Sequence, residues 1–309
     1  MITIEGLNHY DSNRPSVVTI GTFDGVHIGH RKILERLTAA ARAQNLQSTL
    51  LTFYPHPRMV LQKDSGLQLL NTIGEKTDIL RETGLDCLVI HPFTKGFSRL
   101  SATRYVQEVL VESLHAKHVI IGYDHRFGRN RAANIGDLKE FGGLFDFVVE
   151  EISAQEIDEV SVSSTKIRAA LGAGDLDTAN AYLGYAYMLS GQVVRGKGLG
   201  RQLGFPTANL ELESPYKLVP ARGVYAVRCS LGDTVRDGMM NIGLNPTVDG
   251  KAQHIEVHFF DWEEDLYGAF LKVELLARLR DERKFDSLDA LRRQLETDRI
   301  AARQAIAAR

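Results

Sequence analysis

The sequence predicts an α/β protein of two modules: an N-terminal parallel sheet wound with helices on both faces, then an antiparallel barrel or sandwich that ends in a helix. Three observations predict this. Short β-branched or apolar runs alternate with helical-period segments as far as about Glu150, as parallel strands covered on both faces do. From Tyr187 to Leu279 the helical period disappears, and strand-like runs such as GVYAVRCS and HIEVHFFDW are divided by glycines. The length of 309 residues suits two domains.

The elements follow in order. Ser16–Ile20 (SVVTI) is a strand that leads through GTFDGVHIGH into a helix over Arg31–Ala43, on which Ile33, Leu34, Leu37 and Ala41 share a face. Ser48–Phe53 is the next strand and stops before Pro55 and Pro57. Thr72 and Glu75 form a capping-box start for a helix reaching about Thr83. Cys87–Ile90 is a strand, Ser101–Leu114 a helix, His118–Ile121 a strand, Asp137–Phe141 a short helix and Phe145–Val149 a strand. Two helices, Ser164–Leu171 and Asp175–Tyr185, flank GAGD. The boundary is expected near Ala186, giving modules 1–186 and 187–309. In the last segment Asp286 or Ser287 caps a helix with Leu288, Leu291 and Leu295 on one face, and IAARQAIAAR reads as its solvated end.

Composition limits the function classes. Lys plus Arg is 37 and Asp plus Glu 39, a net charge of −2, which disfavours binding nucleic acid through the surface at large. Two cysteines, Cys87 and Cys229, cannot build a disulfide framework and suit a reducing cytosol. The first fifteen residues lack the basic start and apolar stretch of a signal peptide, and no run reaches the length needed to span a bilayer. A cytoplasmic protein acting on small molecules, without nucleic acid or membrane partners, is expected, with transient self-association left open.

Chemistry concentrates in two glycine-rich stretches. In the first, Gly21, Gly25 and Gly29 lie between a strand and a helix, where a bare backbone and unpaired N–H groups suit an anion. His27 and His30 start that helix on one face, placed for a transition state whose negative charge grows. Taken alone, H-x-x-H fits equally a glycine-rich turn with two surface histidines. The ten-residue string as a whole resembles the HxGH signature of nucleotidyltransferases. With TFYPHP (Thr52–Pro57), IGYDHRFGRNR (Ile121–Arg131) and VSSTKIR (Val162–Arg168), it is similar to the adenylyltransferase half of the bacterial bifunctional riboflavin kinase/FMN adenylyltransferase family. The resemblance implies an N-terminal nucleotidyltransferase domain. It implies that Gly21, Phe23, Asp24, Gly25, Gly29, Ser163, Ser164, Thr165 and Arg168 bind ATP, and that His56, Asp124, Phe127 and Arg131 contact flavin. His125 departs from the family pattern, where phenylalanine is usual. The hydroxyls of Ser163, Ser164 and Thr165 and the planar charge of Arg168 are suitable phosphate donors.

The second stretch, GKGLGRQLGFPTAN, places Gly196, Gly198, Gly200 and Gly204 among Lys197 and Arg201, a basic loop able to wrap phosphates. It is not a P-loop, because Gly198 replaces the required Ser/Thr, the intervening QVV is strand-like and no helix follows. PTAN (Pro206–Asn209) resembles the kinase signature of the same family, and NIGLNPT, IEVHFFDWEEDLYG and RLRDERKFDSLDALRRQLETD follow in family order. The resemblance implies a C-terminal barrel that phosphorylates riboflavin. Gly196, Lys197, Gly198, Gly200 and Arg201 would bind ATP, Thr207 and Asn209 would ligate Mg²⁺, Asn241 would contact flavin, and Glu256 would be the base. By spacing alone, Glu256 reads as an outward strand carboxylate opposite a lysine. The expected chemistry is riboflavin plus ATP to FMN, then FMN plus ATP to FAD and pyrophosphate, with the FMN phosphate as nucleophile. Two rivals carry less of the sequence. An RNA-directed synthetase would share the HIGH string, and a flavin-binding regulator would keep the fold without catalysis.

Overall fold

The computed structural model describes residues 1–10, 14–62, 66–123, 125–153, 162–196, 199–231, 234–247, 250–262 and 264–309. They form two compact units, Met1–Ser163 and Ser164–Arg309.

The first unit holds six parallel strands: β1 (Ile2–Glu5), β2 (Ser16–Ile20), β3 (Gln47–Phe53), β4 (Cys87–His91), β5 (Ala116–Gly122) and β6 (Val148–Ile152), in the order β1-β4-β3-β2-β5-β6. All five residues of β2 are buried, as its apolar β-branched run requires of a central strand. The helices are α1 (Ile28–Gln44), α2 (Pro57–Leu61), α3 (Ile73–Arg81), α4 (Ala102–Arg104), which continues as a π-helix over Tyr105–Ser113, and α5 (Ile135–Phe145). The Thr72–Glu75 capping box forms as predicted. Among the boundaries that differ from expectation are those of α1 and α5. Helix α1 starts at Ile28 rather than Arg31, because His27 itself caps it. Helix α5 runs to Phe145 because Asn134 and Asp137 form a second capping box and Asp146 ends the helix with φ 60°, so the following strand starts at Val148 rather than Phe145.

The second unit opens with α6 (Ser164–Ala173) and α7 (Leu176–Leu183). Six antiparallel strands follow: β7 (Tyr187–Val194), β8 (Ala208–Leu212), β9 (Gly223–Leu231), β10 (Thr234–Thr247), β11 (Gly250–Phe259) and β12 (Phe270–Arg280). They close into a barrel in the order β10-β11-β8-β7-β12-β9; contrary to expectation a helix does follow the glycine-rich loop, the single turn α8 (Leu199–Gln202) between β7 and β8. Side chains alternate between its faces. The rung Val257–Met240–Tyr225 is fully buried inside, while Ala226, Met239 and Leu276 face α9 (Leu288–Ala307) on the outside. Helices α6 and α7 group with the barrel: Ala221 N–H donates to Leu171 O at 2.9 Å, and Asn180 Nδ2 donates to Leu275 O at 3.0 Å. The units therefore divide well before Ala186.

Ser287, not Asp286, caps α9. The tail of α9 is not a solvated end. Ala302 and Ile306 are buried against Phe205, Met239 and Phe260, whereas Leu288 is 56% exposed. The buried stripe thus sits further along the helix than the leucines suggest, running from Leu295 to Ala302 and Ile306, and small alanines let the helix approach the barrel closely.

Candidate functional site

The first unit reverses its strand order at β2, whose neighbours are β3 on one side and β5 on the other. Ligands of open α/β sheets bind outside the carboxyl ends of strands at such a switch point. The turn Gly21–His27 follows β2, and the segment carrying Phe127 and Arg131 follows β5.

His27 caps α1, and its Nδ1 accepts the His30 N–H at 3.4 Å. That bond leaves the His27 proton on Nε2. The two rings stack with centroids 3.7 Å apart, and Phe23 lies 4.7 Å from His30. Burial lowers the pKa of His27 to about 4, and burial, His27 and Lys76, in that order, hold His30 well below the ordinary range. Both are therefore neutral imidazoles at neutral pH. The His30 Nδ1 is buried without a hydrogen-bond partner among the described residues. Gly21 makes room for Phe23, since a Cβ there would lie 2.9 Å from the Phe23 ring. Gly25 takes φ 88°, and Gly29 is buried in the first turn of α1. Asp24 is buried, and its Oδ1 accepts the N–H groups of Leu70 at 3.0 Å and Asn71 at 3.5 Å, so this carboxylate holds backbone.

The expected flavin contacts are scattered. His56 caps α2, its Nδ1 accepting from Arg58 N at 3.1 Å. Phe127 is buried against Tyr105, with the His125 ring stacked on it at 6.0 Å. Arg131 is exposed in a turn with φ 56°. Asp124 lies outside the described residues, as do Lys197 and Gly198. Ser163 ends the first compact unit, while Ser164, Thr165 and Arg168 start α6 in the second.

In the second unit, strand register assembles residues far apart in sequence. Glu256 on β11 pairs directly with Asn209 on β8 and with Asn241 on β10. Register partners project from the same face, so the three form one rung, and no lysine stands opposite Glu256. Asn241 Nδ2 lies 3.2 Å from His254 Nε2. His254 is a polar neighbour that sequence reasoning missed, because only the β10–β11 register brings it there. Thr207 stands two residues before Asn209. Glycine backbone presses on both: a Cβ on Gly196 would meet Asn209 Nδ2 at 2.1 Å, and one on Gly200 would meet Thr207 Oγ1 at 3.2 Å. A cavity of about 140 Å³ opens beside Thr207, lined also by Arg201, Val257, Trp262 and Tyr267. Trp262 faces this cavity and carries the Arg236 guanidinium 5.3 Å from its ring centroid. No cluster of three or more His, Cys, Asp or Glu able to hold a metal occurs among the described residues. The neutral oxygens of Thr207 and Asn209 suit Mg²⁺ that arrives with a nucleotide and keeps most ligands from phosphate and water.

A family model for FAD synthetase matches residues 9–166, and one for riboflavin kinase matches residues 183–306. The chain is 38% identical over 289 residues to a bifunctional riboflavin kinase/FMN adenylyltransferase of Escherichia coli K12, covering 93% of this chain and 92% of the relative. It is 37% identical to the Pseudomonas fluorescens protein of the same description, covering 100% and 98%. A solved Streptococcus pneumoniae structure described as a macrolide-efflux protein superposes with TM-score 0.89 at 32% identity, covering 98% of this chain and 99% of that one. No described helix is long and apolar enough to cross a membrane.

Proposed function

The chain belongs to the bifunctional riboflavin kinase/FMN adenylyltransferase family, and from that premise we propose which of its residues serve each reaction. It phosphorylates riboflavin with ATP to FMN, and adenylylates FMN with ATP to FAD and pyrophosphate.

In the kinase reaction Glu256 accepts the proton of the ribityl 5′-hydroxyl as the γ-phosphoryl group transfers and ADP leaves. The observation that carries this reading is the rung Asn209–Glu256–Asn241, with glycine backbone pressed against its Asn209 end. Thr207 and Asn209 would hold Mg²⁺, which supplies charge neutralisation for the phosphates. Gly196, Lys197, Gly198, Gly200 and Arg201 take the ATP phosphates. Asn241, held beside His254, contacts the flavin.

In adenylyl transfer an oxygen of the FMN phosphate attacks the α-phosphorus of ATP, and the bond to the bridging oxygen breaks as pyrophosphate departs. His27, buried, and His30, half-buried, both neutral, donate N–H groups to the charge growing on the α-phosphate oxygens. Neither needs to transfer a proton. Ser163, Ser164, Thr165 and Arg168 take the remaining phosphates. The backbone at Gly21, Phe23, Gly25 and Gly29 shapes the turn, and Asp24 acts through the amides it binds. His56, Asp124, Phe127 and Arg131 form the flavin side. The two activities divide as residues 1–186 and 187–309, a reading supported by a FAD synthetase match that ends at 166 and a riboflavin kinase match that starts at 183, although α6 and α7 pack with the barrel. A cytosolic setting is supported by Cys87 and Cys229, both buried and free.

The test is His27→Ala with His30→Ala in the full chain, followed by chromatography of flavins formed from riboflavin and MgATP. FMN should accumulate without FAD, each lost donor costing about 10²–10³-fold. FAD formation at the unmodified rate would refute the assignment.

A further inference from the structure

Lysine is among the residues least often buried, yet Lys76 in α3 is only 5% exposed. Its Nζ donates to the main-chain carbonyl of Thr22 at 2.7 Å, inside the Gly21–His27 turn. Two residues further along that turn, Asp24 Oδ1 accepts the Leu70 and Asn71 amides. The segment 70–76 therefore grips the turn at two points. The grip has a purpose in the backbone. Phe23 and Val26 take φ 45° and 34°, left-handed values that non-glycine residues hold only when their surroundings enforce them. Phe23 in turn lies against His30. A chain of contacts thus runs from Lys76 through Thr22 and Phe23 to the ring of His30.

We propose that Lys76 is a positioning residue for adenylyl transfer: its ammonium, bonded to the Thr22 carbonyl, pins the turn that carries His27 and His30. This rests on the assignment of the histidine pair to that reaction. Electrostatics point the same way. Lys76 helps hold His30 uncharged. Burial lowers the pKa of Lys76 itself and Asp24 partly restores it. The titratable groups that act on it or feel it are Asp24 from the turn and His30 from α1, while its neighbour Glu75 is engaged with the Thr72 N–H.

Lys76→Met keeps the length and apolar stem but removes the charge. In the full chain, adenylylation of supplied FMN should lose about 10²-fold in turnover, as misplaced reacting groups do. Riboflavin phosphorylation by the same preparation should stay within a few-fold of the unmodified enzyme. The unmodified enzyme should also lose adenylylation turnover at alkaline pH as Lys76 deprotonates, and that fall should vanish in Lys76→Met. Adenylylation within a few-fold of normal, or an alkaline fall left unchanged, overturns the proposal. If Lys76→Met fails to fold, so that kinase activity falls with it, Lys76→Arg decides. The guanidinium stays charged, so its alkaline fall must move to higher pH, and a fall at the original pH overturns the proposal. The His27→Ala, His30→Ala variant is assayed alongside. If it still makes FAD, the site assignment fails whatever Lys76 does. If it does not, while Lys76→Met does, only the role of Lys76 fails.

Discussion

Glu256 and Asn209 are direct register partners on β11 and β8, so a carboxylate and a neutral amide oxygen project side by side from one face of the barrel. The two predict different kinetic faults. Glu256→Gln keeps size and hydrogen bonding but removes the base, and kinase turnover should fall by about 10²–10⁴-fold. Adenylylation of supplied FMN should be unchanged. Thr207→Ala, which removes the neighbouring hydroxyl, should weaken MgATP use, with partial recovery at raised Mg²⁺. Steady-state kinetics of riboflavin phosphorylation separate them. Turnover by Glu256→Gln within a few-fold of normal would make Glu256 a strand-surface residue.

Gly196 and Asn209 set a second test. A Cβ on Gly196 would lie 2.1 Å from Asn209 Nδ2, a contact with a movable side chain. On Gly200 it would lie 2.3 Å from the Phe205 carbonyl oxygen, a contact with fixed backbone. Gly196→Ala should therefore fold normally yet lose kinase activity by about 10²-fold, since Asn209 must swing away. Gly200→Ala should lower the melting temperature as well. Equal melting temperatures for the two variants would contradict the distinction.

His27 gives a signed pH dependence. In the folded chain its pKa is lowered from 6.5 to about 4, chiefly by burial. Between those values the unfolded chain binds the extra proton and the folded chain does not. Its contribution to stability is full above pH 6.5 and is lost as pH falls toward 4. At about 1.4 kcal/mol per unit, the effect is about 3 kcal/mol. His27→Asn, which retains an acceptor for the His30 N–H but cannot titrate, should show a shallower loss of stability over that window. Urea unfolding of both proteins at several pH values measures the difference, and parallel curves would exclude it.

How much of this was legible in sequence depends on the range of the interactions. The capping box at Thr72–Glu75 and the buried run Ser16–Ile20 are local and formed as read. The bounds of α5 were not, because the capping box at its start uses Asn134, and Phe145 at its end suits a helix as well as a strand. The motifs located Asn209, Asn241 and Glu256 one by one, but their common rung comes from pairings across β8, β11 and β10. Lys76 left no signal, since nothing in its neighbours marks a lysine for burial. The tail of α9 misled for a related reason: alanine and arginine suggest solvent, while the stripe through Ala302 and Ile306 closes one side of the core.

That stripe is locked by Asp298, which is 3% exposed. Its two oxygens accept from Arg280 Nε at 2.8 Å and Nη2 at 2.6 Å, and Gln294 Nε2 adds a third bond at 2.7 Å. Arg280 belongs to β12 and Asp298 to α9, so the pair fixes the helix over Ala226 and Met239. Removing one partner strands a poorly solvated guanidinium. Asp298→Ala should therefore destabilise the second unit by about 3–5 kcal/mol. Asp298→Asn keeps one acceptor and should cost less. Replacing both partners, with Arg280→Met and Asp298→Leu, should recover most of the loss, because an apolar pair needs no desolvation of charge. Thermal unfolding followed through riboflavin kinase activity reads the series. If Asp298→Ala melts with the unmodified protein, the helix is held by its apolar stripe alone and the ion pair is incidental.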